Sequence, residues 1–330
     1  MPSQPLVFDS RGPNANRAYI ALALGLIGWI SASRAVDAVL VKGAAAELTG
    51  LRPAYNFGDV DIVVRPAELE VFRDELAQRG WLSRPFEDKD DVFPKHSISM
   101  YHPQWPIDID IHYRFPGFEA ATEDIIDEIR KDALLLRTGE LPLEIPSRLG
   151  CIVFQALHQL RSPWEAGSPA ALAELHRRSA DISADQLLDF ARRTDCLAAL
   201  RPFLEQRPDF PADGISFPAP SAEWRLRTLG QDSASIRIFT LLRAPWWKKP
   251  KLAWKAAFPS RTALAAKDIA IAERKPPLPR IHAQRILRFG RNLPKTIRSV
   301  RKLLATERQT ERTRRAPSRP APERSEFNAD

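Results

Sequence analysis

The chain has 330 residues, 44% hydrophobic and 27% charged, which is ordinary globular usage and length enough for about two domains. That composition excludes a collagen-like, wholly disordered or multi-spanning membrane protein, and two cysteines, Cys151 and Cys196, exclude a disulfide scaffold or a Cys-rich zinc module. Of 49 Lys+Arg and 41 Asp+Glu, 23 and 7 fall in residues 241–330 (net +16), leaving 26 and 34 in residues 1–240 (net −8). An acidic front suits a site that holds cations, and a basic back suits contact with polyanions. A reducing cytoplasm is the expected compartment.

In chain order the first element is the apolar run Tyr19–Ile30, behind Arg11 and Arg17 and ahead of Ser31-Ala32-Ser33. It resembles the apolar region of a signal peptide, but it begins late and Asp9 sits in what would be the basic region. Its length falls short of a bilayer span, so no transmembrane segment is expected. A buried helix leading into the strand Ala38–Val41 is the preferred reading. Lys42-Gly43 ends that strand and Ala44–Thr49 restarts as a helix. Val60–Val64 reads as a second strand, Pro66 opens a helix over Ala67–Arg79, and Gly80 closes it. His96–Tyr101 and Ile107–Tyr113 read as two further strands around the Pro103–Pro106 turn. Strands interleaved with helices give an α/β or α+β sheet domain over about residues 15–140.

Beyond Pro146 the pattern turns helical, with Ser147–Arg161, Pro169–Ala180, Ala184–Thr194 and Ser233–Leu242 at helical period. Residues 145–305 therefore read as a mainly helical domain. From Arg308 to Asp330 the sequence is polar, basic and Pro-rich, and a disordered tail is expected.

Chemistry concentrates in two short stretches. In Gly58-Asp59-Val60-Asp61-Ile62-Val63-Val64, side chains two apart on a strand share a face, so Asp59 and Asp61 converge. Two adjacent carboxylates are costly unless a cation neutralises them or one is protonated. Hard oxygen ligands suit Mg²⁺ or Mn²⁺ and argue against zinc. In Ile107-Asp108-Ile109-Asp110-Ile111-His112-Tyr113, alternation puts Asp108, Asp110 and His112 on one face. If the two strands are neighbours, a carboxylate of the second completes a three-acid site able to clamp a transferring phosphoryl group with two ions. Upstream, Lys42, Gly43 and Ala44 form a strand–turn–helix whose free N–H groups suit phosphate oxygens, although the Walker A spacing is absent.

Taken together, VLVKGAAAEL, GDVDIVV and IDIDIHYRF resemble the uncharacterised nucleotidyltransferase family of the polymerase-β-like superfamily, with its L-K-G, D-h-D-h-h-V and h-D-h-H elements (h is apolar). The resemblance covers about residues 20–115 and extends only in outline beyond. It implies an α+β fold, with an N-terminal nucleotidyltransferase-like mixed sheet and flanking helices followed by the helical domain and basic tail. It also implies a bacterial enzyme that uses Mg²⁺ (or Mn²⁺) to transfer a nucleoside monophosphate from an NTP such as ATP to a hydroxyl acceptor, in a polysaccharide or peptide-modification setting. By the same resemblance Asp59, Asp61 and Asp110 are the catalytic metal ligands, with Asp108 the competitor for the third place. Lys42, Gly43 and Ala44 are the phosphate-side turn, and Asp108 and His112 support the ligands. An Arg that often precedes the first Asp in that family is replaced by Tyr55-Asn56-Phe57-Gly58, with Arg52 the nearest basic residue.

Plainer readings stand beside these: a solvated edge strand for Asp59 and Asp61, a half-buried sheet histidine for His112, and a packed histidine for His158 on its Leu-rich helix. His96 and His102 fit no ligand spacing. Trp246, Trp247 and Trp254 lie among Lys248, Lys249, Lys251 and Lys255. They read as a base-stacking surface, an interfacial membrane contact, or plugs of the helical domain's own core. The basic run Arg280–Lys302 suits an acidic polymer or membrane surface, or covers the acidic front of the same chain. Two other functions remain in view: nucleotidyl transfer onto tRNA or a protein hydroxyl, and a non-catalytic scaffold that keeps the fold.

Overall fold

The computed structural model describes residues 6–10, 16–54, 57–84, 93–138, 141–163, 165, 167–211, 214–229, 233–261, 264 and 276–315. The apolar run near the start is helix α1 (Asn16–Arg34), with Ile20, Leu24, Ile27 and Ile30 fully buried. Their spacing of four, three and three makes the inward stripe of a helix laid on a sheet. It follows the short strand β1 (Leu6–Val7) and feeds β2 (Val39–Val41). Lys42 has φ 55°, a backbone region that non-glycine residues enter at a cost, and it turns the chain into the short helix α2 (Gly43–Leu48). Arg17 of α1 ties the two helices together: buried, it binds Glu47 Oε1 at 2.7 Å and the Asp9 carbonyl at 2.8 Å.

β3 (Asp59–Val63) comes next, then a 3-10 turn with Pro66 in its first position, helix α3 (Leu69–Ala77) and β4 (Leu82–Ser83). β5 (Ser97–Tyr101), β6 (Asp108–His112), helix α4 (Thr122–Arg130) and the hairpin β7 (Leu134–Thr138) and β8 (Leu141–Ile145) complete a mixed eight-stranded sheet in the order β1-β7-β8-β2-β3-β6-β5-β4. The expected mixed sheet with flanking helices is present. Its β7–β8 hairpin and α4 are additions to the sequence reading. The hairpin pairs antiparallel within itself, and β8 then pairs parallel to β2. Its inward Leu136, Leu143 and Ile145 are buried.

Helices dominate after Ile145: α5 (Arg148–Leu160), α6 (Ser168–Arg178), α7 (Ala184–Arg193), α8 (Leu197–Leu204), α9 (Ala222–Leu229), α10 (Ser233–Arg243), α11 (Lys249–Ala257) and α12 (Leu278–Arg315). Local signals set their starts. Ser147 caps α5 by accepting from the Gly150 N–H, and Ser183 with Gln186 forms a reciprocal capping box on α7. One buried cluster runs from the sheet and α1 into α5, α7, α8 and Trp224 of α9. Ile236, Phe239, Ile281, Val300 and Leu303 are buried outside it, in a further layer where α10 packs on α12. α12 continues to Arg315, past the expected start of a disordered tail at Arg308; residues 316–330 lie outside the described residues.

Candidate active site

β3 and β6 are parallel neighbours with Asp59 opposite Asp108 and Asp61 opposite Asp110. Between these acids, Val60, Ile62, Ile109 and Ile111 turn to the other face and are buried in the core. Period-two alternation on two in-register strands therefore sets four carboxylates on one side of the sheet. The core behind them fixes the register, because a one-residue slip would send isoleucines out and acids in.

The four acids have different surroundings. Asp108 is gripped by Arg84 through two hydrogen bonds of 2.7 Å, a bidentate arrangement that uses both its oxygens. Asp61 is buried, and its Oδ1 takes both the Lys42 ammonium and a 2.9 Å hydrogen bond from His112 Nε2. Burial works against its ionisation, but Lys42 and His112 hold it well below the usual carboxylate range. Asp59 and Asp110 have no ion-pair partner among the described residues. Asp59 opens its strand at the exposed end, yet desolvation of its carboxyl, then the charges of Asp61 and Asp110, push it up to about 6 despite the opposing Lys42.

His112 is buried and kept neutral by desolvation, with Lys42 adding to the effect against the pull of Asp61 and Asp110. Its Nε2 donates to Asp61, and its Nδ1 is buried with no hydrogen-bond partner among the described residues. Asp61, Asp110 and His112 each bring one potential ligand atom within 4.8 Å of the others. The solvated-edge reading of Asp61 therefore does not hold, whereas His96 behaves as a packed neutral histidine, its ring 5.7 Å from His112 and its pKa driven down to about 2 by burial first and by His112 next.

The turn at Lys42 differs in detail from the expected phosphate cradle. A side chain on Gly43 would stand 3.0 Å from the Phe57 ring, so the glycine makes room for that ring. Lys42 points its ammonium at Asp61 and lies 5.7 Å from the Phe115 ring. Arg52 stacks on Phe57 at 5.2 Å.

Several functional candidates escaped the sequence reading. On α5, Phe154, His158 and Arg161 fall four and three residues apart, one helical face. Phe154 packs on Phe115 at 4.7 Å, and Phe115 packs on His112 at 5.6 Å, which aims this face at the acids. The Arg161 side chain has no hydrogen-bonded or ionic partner among the described residues. Its burial lowers its pKa and the charge of Arg227 adds to that, while Asp61, Glu165 and Asp110 pull the other way. His158 is lowered to about 3, by burial first and then by Arg161 and Lys42. Arg227 of α9 is held by Glu223 at 2.8 Å, and Glu223 also binds Arg114, just beyond β6. Arg161, with Arg227 near it, thus sets positive charge from the helices within electrostatic reach of Asp61 and Asp110. A helical face ending in His158-x-x-Arg161 was the available sequence signal; Arg227 had none.

No protein-family model matches the chain, and no curated protein sequence matches it either. Among solved structures it resembles the antibiotic-resistance factor ANT(2'')-Ia, at 11% identity over 58% of this chain and 99% of that one, TM-score 0.38. A nucleotidyltransferase-like antigenic protein from Paracoccidioides brasiliensis aligns at 11% identity over 57% and 93% of the two chains, TM-score 0.35. The Thermotoga maritima CCA-adding enzyme, solved with tRNA, aligns at 12% over 75% and 62%, TM-score 0.25. Likeness of this extent leaves the functional reading to the site's own geometry.

Proposed function

We propose that the chain is a metal-dependent nucleotidyltransferase that moves a nucleoside monophosphate from an NTP to a hydroxyl acceptor. The observation that carries this reading is the convergence of Asp61, Asp110 and His112 within 4.8 Å, with Asp59 one pleat away on the same strand face. Carboxylate oxygens dominate the donor set, and the pKa of Asp59 is raised by desolvation first and by the charges of Asp61 and Asp110 next, which Lys42 offsets only in part. Both fit a divalent ion of the magnesium class, for which Asp59, Asp61 and Asp110 would be the ligands. Such an ion, when bound, supplies charge neutralisation of the triphosphate and of the leaving pyrophosphate.

The chain's own groups then have distinct tasks. Arg161, within electrostatic reach of Asp61 and Asp110, and Arg227 beside it would receive the negative charge of the polyphosphate. Asp110, without an ionic partner among the described residues, is available to take the acceptor's proton as the acceptor oxygen attacks the α-phosphorus and the α–β bridging bond breaks. Asp108, locked by Arg84, holds its strand in place. His112 orients Asp61 through their shared hydrogen bond. In this reading residues 15–140 carry the chemistry and the helices of 145–305 supply the opposite wall and the acceptor site.

Incubation with each labelled NTP, Mg²⁺ and cell extract tests the proposal. Label should appear on an acceptor, and Asp61→Asn or Asp110→Asn should abolish it. A second reading, a non-catalytic scaffold, draws on one observation: Lys42 already neutralises Asp61 from within. No Mg²⁺ affinity and no labelled product from any NTP would favour it. Transfer of the label to tRNA or to a protein would identify a macromolecular acceptor.

A further inference from the structure

We propose that α11, the turn before it and the outer side of α12 form a docking surface for an anionic lipid bilayer. This goes beyond nucleotidyl transfer and does not depend on it. Trp246, Trp247 and Trp254 are 78%, 63% and 67% exposed, so none of them plugs the helical core as one sequence reading expected. The Trp246 and Trp247 rings lie 6.0 Å apart, so the exposed indoles form a patch rather than scattered apolar residues, and such patches mark interaction sites. The indoles stand among Lys248, Lys249 and Lys251, and no acidic residue occurs between positions 233 and 267.

α12 repeats the pattern. Ile281, Thr296, Val300 and Leu303 are buried on its inner side. Ile286, Phe289, Leu293 and Ile297, spaced three, four and four, are exposed on another. Leu287 beside them is 64% exposed. Arginines and lysines flank this stripe at every turn, and no acid occurs between positions 276 and 306. The two apolar sets are adjacent. Trp254 packs on Phe258 at 4.7 Å, Phe258 packs on His282 at 5.5 Å, and His282 Nε2 lies 3.1 Å from the Pro259 carbonyl, one turn before Ile286.

The chemistry selects lipid. Indole and lysine both settle at headgroup depth, and basic side chains can lie along apolar surface while their charges reach phosphates. An amphipathic helix that lies parallel to the membrane, without acids over residues 278–306, satisfies its aliphatic stripe and its arginines together. Nucleic acid would stack on the tryptophans but offers no apolar medium for Ile286, Leu287, Leu293 and Ile297. No helix of the described residues is long and apolar enough to cross a membrane, so the contact is peripheral.

The test is flotation of the full-length protein with phosphatidylcholine vesicles, pure or carrying roughly 30 mol% phosphatidylglycerol. The protein should float with the anionic vesicles and not with the neutral ones, and brominated lipid should quench its tryptophan emission. Replacing Trp246, Trp247 and Trp254 together by Ala should weaken partition about tenfold or more, with circular dichroism and Tm unchanged because all three side chains face solvent. Flotation equal for the triple variant, or no flotation at all, overturns the proposal. So does retention of single-stranded RNA in place of vesicles, or a dimer in light scattering that the triple variant disrupts while vesicles go unbound.

Discussion

Arg84 occupies both carboxylate oxygens of Asp108, one pleat from Asp110, whose oxygens have no ionic partner among the described residues. The two strand positions were interchangeable by pattern and are not interchangeable in place. Asp110→Asn should reduce nucleotide transfer by about a hundredfold or more, as expected when a group acting on the reacting atoms is removed. Asp108→Asn should leave transfer within severalfold and instead cost stability of about 1–3 kcal/mol, because a guanidinium loses its charged partner. Paired rate and thermal-melt measurements check this; equal rate losses for both variants would refute the assignment.

Asp59 makes the metal-free protein sensitive to pH. Its folded pKa, about 6, lies above the ordinary carboxylate value, so a bound proton favours the folded state. The stability this proton confers is full below the unfolded value of about 3.9 and is lost as pH rises through about 6. The difference in Tm between wild type and Asp59→Asn, measured without divalent ions, should therefore move against wild type across that window. Mg²⁺ should raise the wild-type Tm most above pH 6, where the carboxylate is ionised, and should raise it little at pH 5.

Arg161 is half-buried without an ionic partner among the described residues, and an unpaired charge in that position costs folding energy. Arg161→Gln should leave Tm unchanged or slightly higher, while the KM for NTP rises about tenfold through loss of a charge-assisted contact. A structural arginine would show the opposite pattern, with Tm lowered and KM unaffected. Differential scanning fluorimetry beside steady-state kinetics separates the two.

Gly117 joins the sheet to the helices. Its φ is +106°, and a Cβ there would lie 2.8 Å from Trp224 of α9 and 2.9 Å from Leu157 of α5. Gly117→Ala should cost about 2–3 kcal/mol, from backbone strain and displaced packing together. Urea unfolding gives the figure. A neutral substitution would mean that the indole has room to retreat.

The four strands β2, β3, β5 and β6, and the shared face of Asp59, Asp61 and Asp110, were legible because each depends on local pattern. Alternation in Asp59–Val63 and Asp108–His112 states which side chains share a face whatever surrounds them. The β7–β8 hairpin was not legible, since Leu134–Thr138 and Leu141–Ile145 are short and lie beyond the motifs, where no element was assigned. Arg84 and Arg161 come to the acids from distant parts of the chain, with Arg227 beside Arg161, and nothing local announces such convergence. The exposure of Trp246, Trp247 and Trp254 was equally out of reach, because hydropathy gives a residue's preference and the fold decides whether it is met.

Lys42 already holds a positive charge where a metal ion would bind. Its backbone is held at a costly φ, and its ammonium rests on the very oxygen of Asp61 that His112 also binds. Any incoming cation must compete with a tethered one, so loading is an exchange reaction rather than simple occupation. The affinity observed is the difference between two ionic contacts, and it will underestimate the intrinsic grip of the carboxylates. Lys42→Met removes the competitor, and the protein that results should take up divalent ions more tightly while depending on them more heavily for its integrity.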